Sequence, residues 1–167
     1  MIPDSAKLVL TRRFGPLFSA LSLGAFNDNF FKQCVVLAIM FRVGEAAPFD
    51  PAVAATVAAA IFIAPFFFLS ASAGQLADAT RKARLVRRVK LAEVAIMSVG
   101  AWGLIDGNVW LMLAALGAMG AQSALFGPVK YASLPALLRR GELLEANGLV
   151  QTVTFVAILG GMVVGGL

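Results

Sequence analysis

The sequence predicts an all-α fold, a polytopic transmembrane helical bundle, and three observations carry that reading. Of the 167 residues, 60% are apolar and only 14% are charged, against roughly 25% charged in an ordinary soluble domain. The mean hydropathy is +0.87. The apolar residues also gather into five stretches, at about 14–41, 53–73, 89–105, 109–126 and 149–167. Each is long enough for a helix to cross the hydrocarbon core, which takes roughly 17–25 residues.

The first stretch is the longest and is interrupted by Asn27, Asp28, Asn29 and Lys32. The second, at ~1.5 Å per residue, covers about 31 Å. It contains Pro65, a kink site, followed by Phe66, Phe67 and Phe68. The third follows a basic run and carries Glu93 near its start. The fourth is rich in small residues, among them Ala114, Gly117, Gly120, Ala121 and Ser123, and the fifth holds Gly161 and Gly165 at small-x-x-x-small spacing. Such faces let helices approach closely. Period-2 alternation is absent, and Ala and Leu outnumber β-branched residues outside the last stretch, so no strand reading competes. The first stretch is too long for a cleavable signal. The chain ends inside the apolar run from Gly160 to Leu167. The expectation is therefore that residues 1–167 are the N-terminal transmembrane portion of a longer protein.

Composition excludes several function classes. Apolar richness excludes intrinsic disorder. A single cysteine, Cys34, excludes a disulfide framework. With no histidine in the chain, a Ser-His-Asp triad, a Cys-His dyad and a His-ligated zinc are excluded from these residues. No cofactor or metal is expected, and any catalysis would lie outside this chain. The net charge of +5 would raise nucleic-acid binding in a soluble protein. Here the distribution of charge favours topology, with no nucleic-acid partner. Lys7, Arg12 and Arg13 precede the first stretch. Arg81, Lys82, Arg84, Arg87, Arg88 and Lys90 separate the second from the third. Lys130, Arg139 and Arg140 separate the fourth from the fifth. These twelve fall on one side, whereas the other side has Arg42 beside Glu45, Asp50 and Asp106. The positive-inside rule then places the N-terminus in the cytoplasm.

Ionisable residues at bilayer depth cost about 2.5–3.5 kcal/mol each on insertion scales, so they point to function or to a buried pair. On a helix, Lys32 lies about 40° from Asp28, and Asn27 and Asn29 flank Asp28 at about 100°. Gly24 thins the helix beside them. This face suits either a substrate or ion pathway or an internal Asp28–Lys32 ion pair. Lys130 and Tyr131, at the end of the fourth stretch, suit either substrate contact or snorkelling and interfacial roles. Glu93 suits an ion pair with Lys90, or a partner for the basic loop.

Two sets of residues resemble a known family. Gly74-Gln75-Leu76-Ala77-Asp78-Ala79-Thr80-Arg81-Lys82-Ala83-Arg84 resembles the signature loop of the major facilitator superfamily, in the position where that family carries it. Ala79 and Arg81 depart from its usual basic residue and glycine. Phe14-Gly15-Pro16 through Asn27-Asp28-Asn29-Phe30-Phe31-Lys32, then Phe126-Gly127-Pro128-Val129-Lys130-Tyr131, then Glu145-Ala146-Asn147-Gly148 are similar to the lysophospholipid transporter branch. The resemblance implies about five helices of an incomplete six-helix half, in a bacterial cytoplasmic (inner) membrane. It implies a secondary transporter that moves lysophospholipid, such as lysophosphatidylethanolamine, toward the inner leaflet by alternating access. The implied partners are the lipid bilayer, the lysophospholipid, a C-terminal half of the same protein, and an acyltransferase/acyl-carrier-protein synthetase, fused or separate. A zwitterionic amphiphile needs a carboxylate for its ammonium and a cation for its phosphate. The candidates are Asp28 for the first and Lys32 or Lys130 for the second, with Asn27, Asn29, Gln122 and Tyr131 as hydrogen-bonding groups. Gly74, Asp78, Arg81, Lys82, Arg84 and Glu93 are the candidate gating residues. Alternatives from other classes are the membrane part of a fused phospholipid-repair acyltransferase, a superfamily transporter of another small solute, and a small membrane protein that oligomerises to complete a pathway.

Overall fold

The computed structural model describes residues 8–43 and 49–167. Lys7 and Glu45 lie outside the described residues, as do the side chains of Asp78 and Lys82. Among the described residues five long α-helices follow one another: α1 (Gly15–Leu37), α2 (Ala54–Ala79), α3 (Lys82–Asp106), α4 (Val109–Leu137) and α5 (Leu143–Gly165). A π-helical turn, Ala38–Val43, extends α1, and short 3-10 turns, Pro51–Val53 and Arg140–Glu142, lead into α2 and α5. Among the described residues there is no strand. Three helical stretches, Pro51–Leu76, Val109–Leu137 and Arg140–Gly165, are long and apolar enough to cross a membrane by length and composition.

Local chemistry explains where the helices begin and end. Pro16 occupies the first turn of α1, where a missing N–H costs nothing. Asp50 accepts a hydrogen bond from Ala52 N at 2.9 Å before α2, and Asn108 accepts from Leu111 N at 3.2 Å before α4. Both cover otherwise orphaned amides. Gly107 closes α3 with φ of 73°, a left-handed conformation that favours glycine. Arg42 donates from Nη2 to Ile105 O at 2.8 Å, and from Nη1 to Leu104 O. Arg42, the one basic residue at that end of the bundle among the described residues, therefore caps the carbonyl end of α3, where a cation is favoured.

The helices alternate in direction, so the starts of α1, α3 and α5 share one end with the finishes of α2 and α4. The closest packing pairs α1 with α5, α2 with α4 and α3 with α4. Helix α4 is central: half of its apolar stretch is buried, against 11% for that of α2. Glycine sets these approaches. At Gly120 a Cβ would run into the carbonyl of Phe62 on α2, and at Gly161 into that of Phe26 on α1.

Two apolar cores result, one toward each end. The first joins Phe14, just before α1, and Leu17 and Leu21 of α1 to Leu85, Val89, Phe126, Val129 and Val150. The second joins Phe31, Val35 and Ile39 to Ala54, Ala58, Met112, Leu116 and Met119. Phe67, Phe68, Trp102, Trp110, Phe155 and Leu159 point outward and are exposed. This suits lipid contact, with the two tryptophans at one end placed as interfacial anchors.

Candidate functional site

Between the two cores lies a polar layer. The residues of α1 from Gly24 to Asn29 sit one turn past the end of the first core at Leu21 and just short of the second at Phe31. Opposite them, α4 presents Gln122 and Ser123 between Met119 and Phe126, and α3 presents Lys90 and Glu93 beyond Val89. The result is a cleft of about 380 Å³ whose polar lining includes Asp28, Asn29, Lys90, Glu93, Gln122, Ser123, Lys130 and Thr154. Phe62, Phe66, Phe126 and Ile158 supply apolar wall.

The polar groups form short hydrogen-bonded sets, two of which meet where Ser123 Oγ and Gln122 Oε1 lie 3.1 Å apart. Ser123 Oγ donates to Asp28 Oδ2 at 2.6 Å. Gln122 Nε2 donates to Glu93 Oε2 at 3.2 Å, and Lys90 Nζ donates to the same oxygen at 2.6 Å. Lys90 Nζ also lies 5.3 Å from the centre of the Phe126 ring, within cation–π range. Gly24 makes room for it, since a Cβ there would stand 2.6 Å from Lys90 Nζ. Across the cleft, Lys130 Nζ donates to Thr154 Oγ1 at 3.1 Å. Asp28 Oδ1 and Asn27 Nδ2 are buried without a hydrogen-bond partner among the described residues. A buried polar atom without a partner is costly, so Asp28 keeps one oxygen available to a donor entering the cleft.

The sequence candidates divide by position. Asp28, Asn29, Gln122, Lys130 and Glu93 line the cleft together. Asn27 faces a second recess of about 440 Å³ between α1 and α3, on the far side of Glu93. Lys32 does not pair with Asp28. It donates to Asn29 Oδ1 at 3.0 Å and lies 5.5 Å from the Phe62 ring centre. Tyr131 is exposed, and its hydroxyl accepts from Gln151 Nε2 at 2.9 Å. The signature string is largely helical: Gly74 lies within α2, and Arg84 lies in the first turn of α3. Arg81 stands between the two helices and is exposed. Lys90, Ser123 and Thr154 belong to the cleft although sequence reasoning did not select them. The available signals were Gly24, which leaves space for an incoming side chain, and the small-residue face of α4 that carries Ser123.

Long apolar helices, outward aromatic side chains and charges buried midway between two apolar cores define an integral membrane protein of the polytopic α-helical class. Within that class the chain is homologous, over most of its length, to proteins named lysophospholipid transporter LplT. It is 31% identical to that of Pectobacterium carotovorum subsp. carotovorum over 169 residues, covering 98% of this chain. It is 31% identical to that of Photorhabdus laumondii over 95% of this chain, and 31% identical to that of Salmonella arizonae over 87%. The chain spans about a third of the length of these relatives, 33–37%. No family model matches the chain, and no solved structure matches it.

Proposed function

We propose that the protein is a secondary transporter of the major facilitator type that moves lysophospholipid, such as lysophosphatidylethanolamine, toward the inner leaflet by alternating access. The observation that carries this reading is the cleft, which sets two carboxylates, Asp28 and Glu93, among the ammonium groups of Lys90 and Lys130 midway along the helices. A zwitterionic headgroup presents the complementary pair of charges. Its ammonium goes to Asp28, whose Oδ1 has no partner among the described residues. Its phosphate goes to Lys130, whose partners among the described residues are both neutral, the Thr154 hydroxyl and the Tyr131 ring at 5.3 Å. Asn29 and Gln122 hold the glycerol oxygens, and the acyl chain lies along Phe62 and Phe66.

The remainder of the protein supplies the facing wall against which this bundle rocks. The basic end, with Arg81, Arg84 and the Asp78 and Lys82 positions, faces the cytoplasm of a bacterial inner membrane and gates that side. An acyltransferase, fused or separate, consumes the delivered lipid. The names of the relatives support the cargo, and the buried charges support its headgroup.

The test is uptake of labelled lysophosphatidylethanolamine by cells carrying the full-length protein. Asp28→Ala should abolish transfer and Asp28→Asn should lower it to a measurable residual rate, while both variants still reach the membrane. Unchanged transport by both variants would overturn the headgroup assignment.

A further inference from the structure

A second cavity, separate from the central cleft, opens at the basic end of the bundle. It holds about 410 Å³ between the starts of α1 and α3 and the last turns of α4. Its walls are mainly apolar, among them Leu17, Ala83, Val86 and Leu137, and its charged lining is Arg12 and Arg13. Arg13 Nη2 is paired with Glu142 Oε1 at 2.6 Å. Among the described residues Arg12 has no salt-bridge partner.

The charge content separates this cavity from the cleft. The cleft mixes carboxylates with ammonium groups and suits a zwitterion. The outer cavity is lined by no carboxylate among the described residues. The starts of α1 and α3 also carry no acidic residue in their first turns, so no first-turn carboxylate offsets the positive ends of these two helix dipoles. Arg84, Arg87 and Arg88 on the first turns of α3 are exposed nearby in the chain. A volume of this size lies within the usual range for a ligand pocket, roughly 300–1,000 Å³. An apolar groove whose charged lining among the described residues is Arg12, with Arg13 paired to Glu142, is complementary at a membrane interface to a net-anionic amphiphile. Basic pockets between helices at that depth take acidic lipid headgroups.

We propose that this cavity is a binding site for an anionic bilayer phospholipid of the phosphatidylglycerol class. Arg12 and Arg13 hold its phosphate, and the upper part of one acyl chain lies along Leu17, Val86 and Leu137. The site is independent of the cargo in the central cleft. It holds a lipid of the surrounding leaflet at the end where α1, α3 and α4 meet, and so ties the position of these helix ends to leaflet charge.

The test uses the full-length protein in nanodiscs of mixed phosphatidylglycerol and phosphatidylethanolamine, with retained lipid measured by native mass spectrometry. The wild type should retain phosphatidylglycerol preferentially. Each free cation near the surface contributes about fivefold in affinity, so Arg12→Gln should lower retention about fivefold, and the Arg12→Gln, Arg13→Gln double variant should lower it further but by less than another fivefold, because Arg13 is already paired with Glu142. Ala83→Phe fills the groove without touching the Arg13–Glu142 pair, and should lower retention with both arginines present. Asp28→Asn should leave retention unchanged, so a failure of the cargo assignment and a failure of this site read out separately. Equal retention of both lipids by the wild type would overturn the proposal. So would unchanged retention in Arg12→Gln, or in Ala83→Phe.

Discussion

Gly120→Ala tests the packing on which the cleft depends. An added Cβ would meet the carbonyl oxygen of Phe62 well inside contact distance, with Phe62 C at 3.0 Å and Cα at 3.1 Å. All three are backbone atoms of α2, so no side chain can rotate away, and α2 and α4 must separate. A gap of about 0.5–1 Å already forfeits a quarter to a half of each dispersion contact. Within a membrane, van der Waals packing is a main source of helix association. Overpacking of this kind costs about 1–3 kcal/mol, and immovable backbone places this case toward the upper end. Alanine returns about 0.5–1 kcal/mol through its helix preference, leaving a net loss of about 1–2 kcal/mol. Gly148 on α5 is the control, because a Cβ there meets nothing within 4 Å. Gly148→Ala should be stabilising by about 0.4–1 kcal/mol. Thermal unfolding of the two variants in one detergent should place their midpoints on opposite sides of the wild type. If Gly120→Ala unfolded at or above the wild-type midpoint, the glycine contact would not be what sets the α2–α4 spacing.

Other perturbations follow from single contacts. Ser123→Ala removes the one donor to Asp28 found among the described residues, and should destabilise by about 1–3 kcal/mol, read as a lowered unfolding midpoint that Ser123→Thr restores. Arg42→Ala frees the carbonyls of Leu104 and Ile105 and should cost about 1 kcal/mol, with faster amide exchange confined to the last turn of α3. The backbone N–H of Arg139, and after it the Arg13 guanidinium, hold the carboxyl of Glu142 below the ordinary glutamate range. Its stabilising contribution is therefore complete above the unfolded value of about 4.3 and is lost as pH falls through the lower folded value. Glu142→Gln should flatten that acid limb in a pH series of unfolding midpoints and leave the neutral-to-alkaline limb parallel to the wild type.

The all-α membrane class was legible because it rests on composition and on the length of apolar runs, which tertiary contacts do not alter. Helix ends were less so. The basic run from Lys82 to Lys90 reads as a loop because membrane loops collect positive charge. The structure instead starts α3 at Lys82, and its first turns carry that charge on a helix. This displacement brings Lys90 inside the bundle opposite Gly24. A residue that looks like one more cytoplasmic cation then becomes part of the buried network. The relation of Asp28 to Lys32 was misleading in a different way. Helical spacing allows the pair, yet Asn29 is nearer along the same turn and takes the ammonium, and Asp28 turns to Ser123 on α4. Register within one helix was readable from sequence. The partner contributed by another helix was not, because it depends on how close glycine lets the two backbones come.

The same close approaches bear on how such a bundle would move. Each apolar core is continuous across several helices, and each lies toward one end, whereas the polar groups between them are linked across helices by hydrogen bonds such as Ser123–Asp28 and Gln122–Glu93. Rigid ends and a polar waist place the least apolar packing where the cleft opens. A headgroup that takes the free oxygen of Asp28 and the ammonium of Lys130 would bridge α1 and α4, helices that otherwise pack mainly on other partners. Binding would then add a link between the α1–α5 pair and the α2–α3–α4 group at the level where the protein itself supplies few. A ligand shifts a conformational equilibrium only by its differential contacts with the two states. On the proposed headgroup assignment, the contact that differs between the two states is the one spanning the cleft. The double variant Asp28→Asn, Lys130→Gln should therefore lose transfer no more severely than Asp28→Asn alone, because one bridge cannot be broken twice. Multiplicative losses in a full double-mutant cycle of transport rates would instead mean that the two residues act at separate steps.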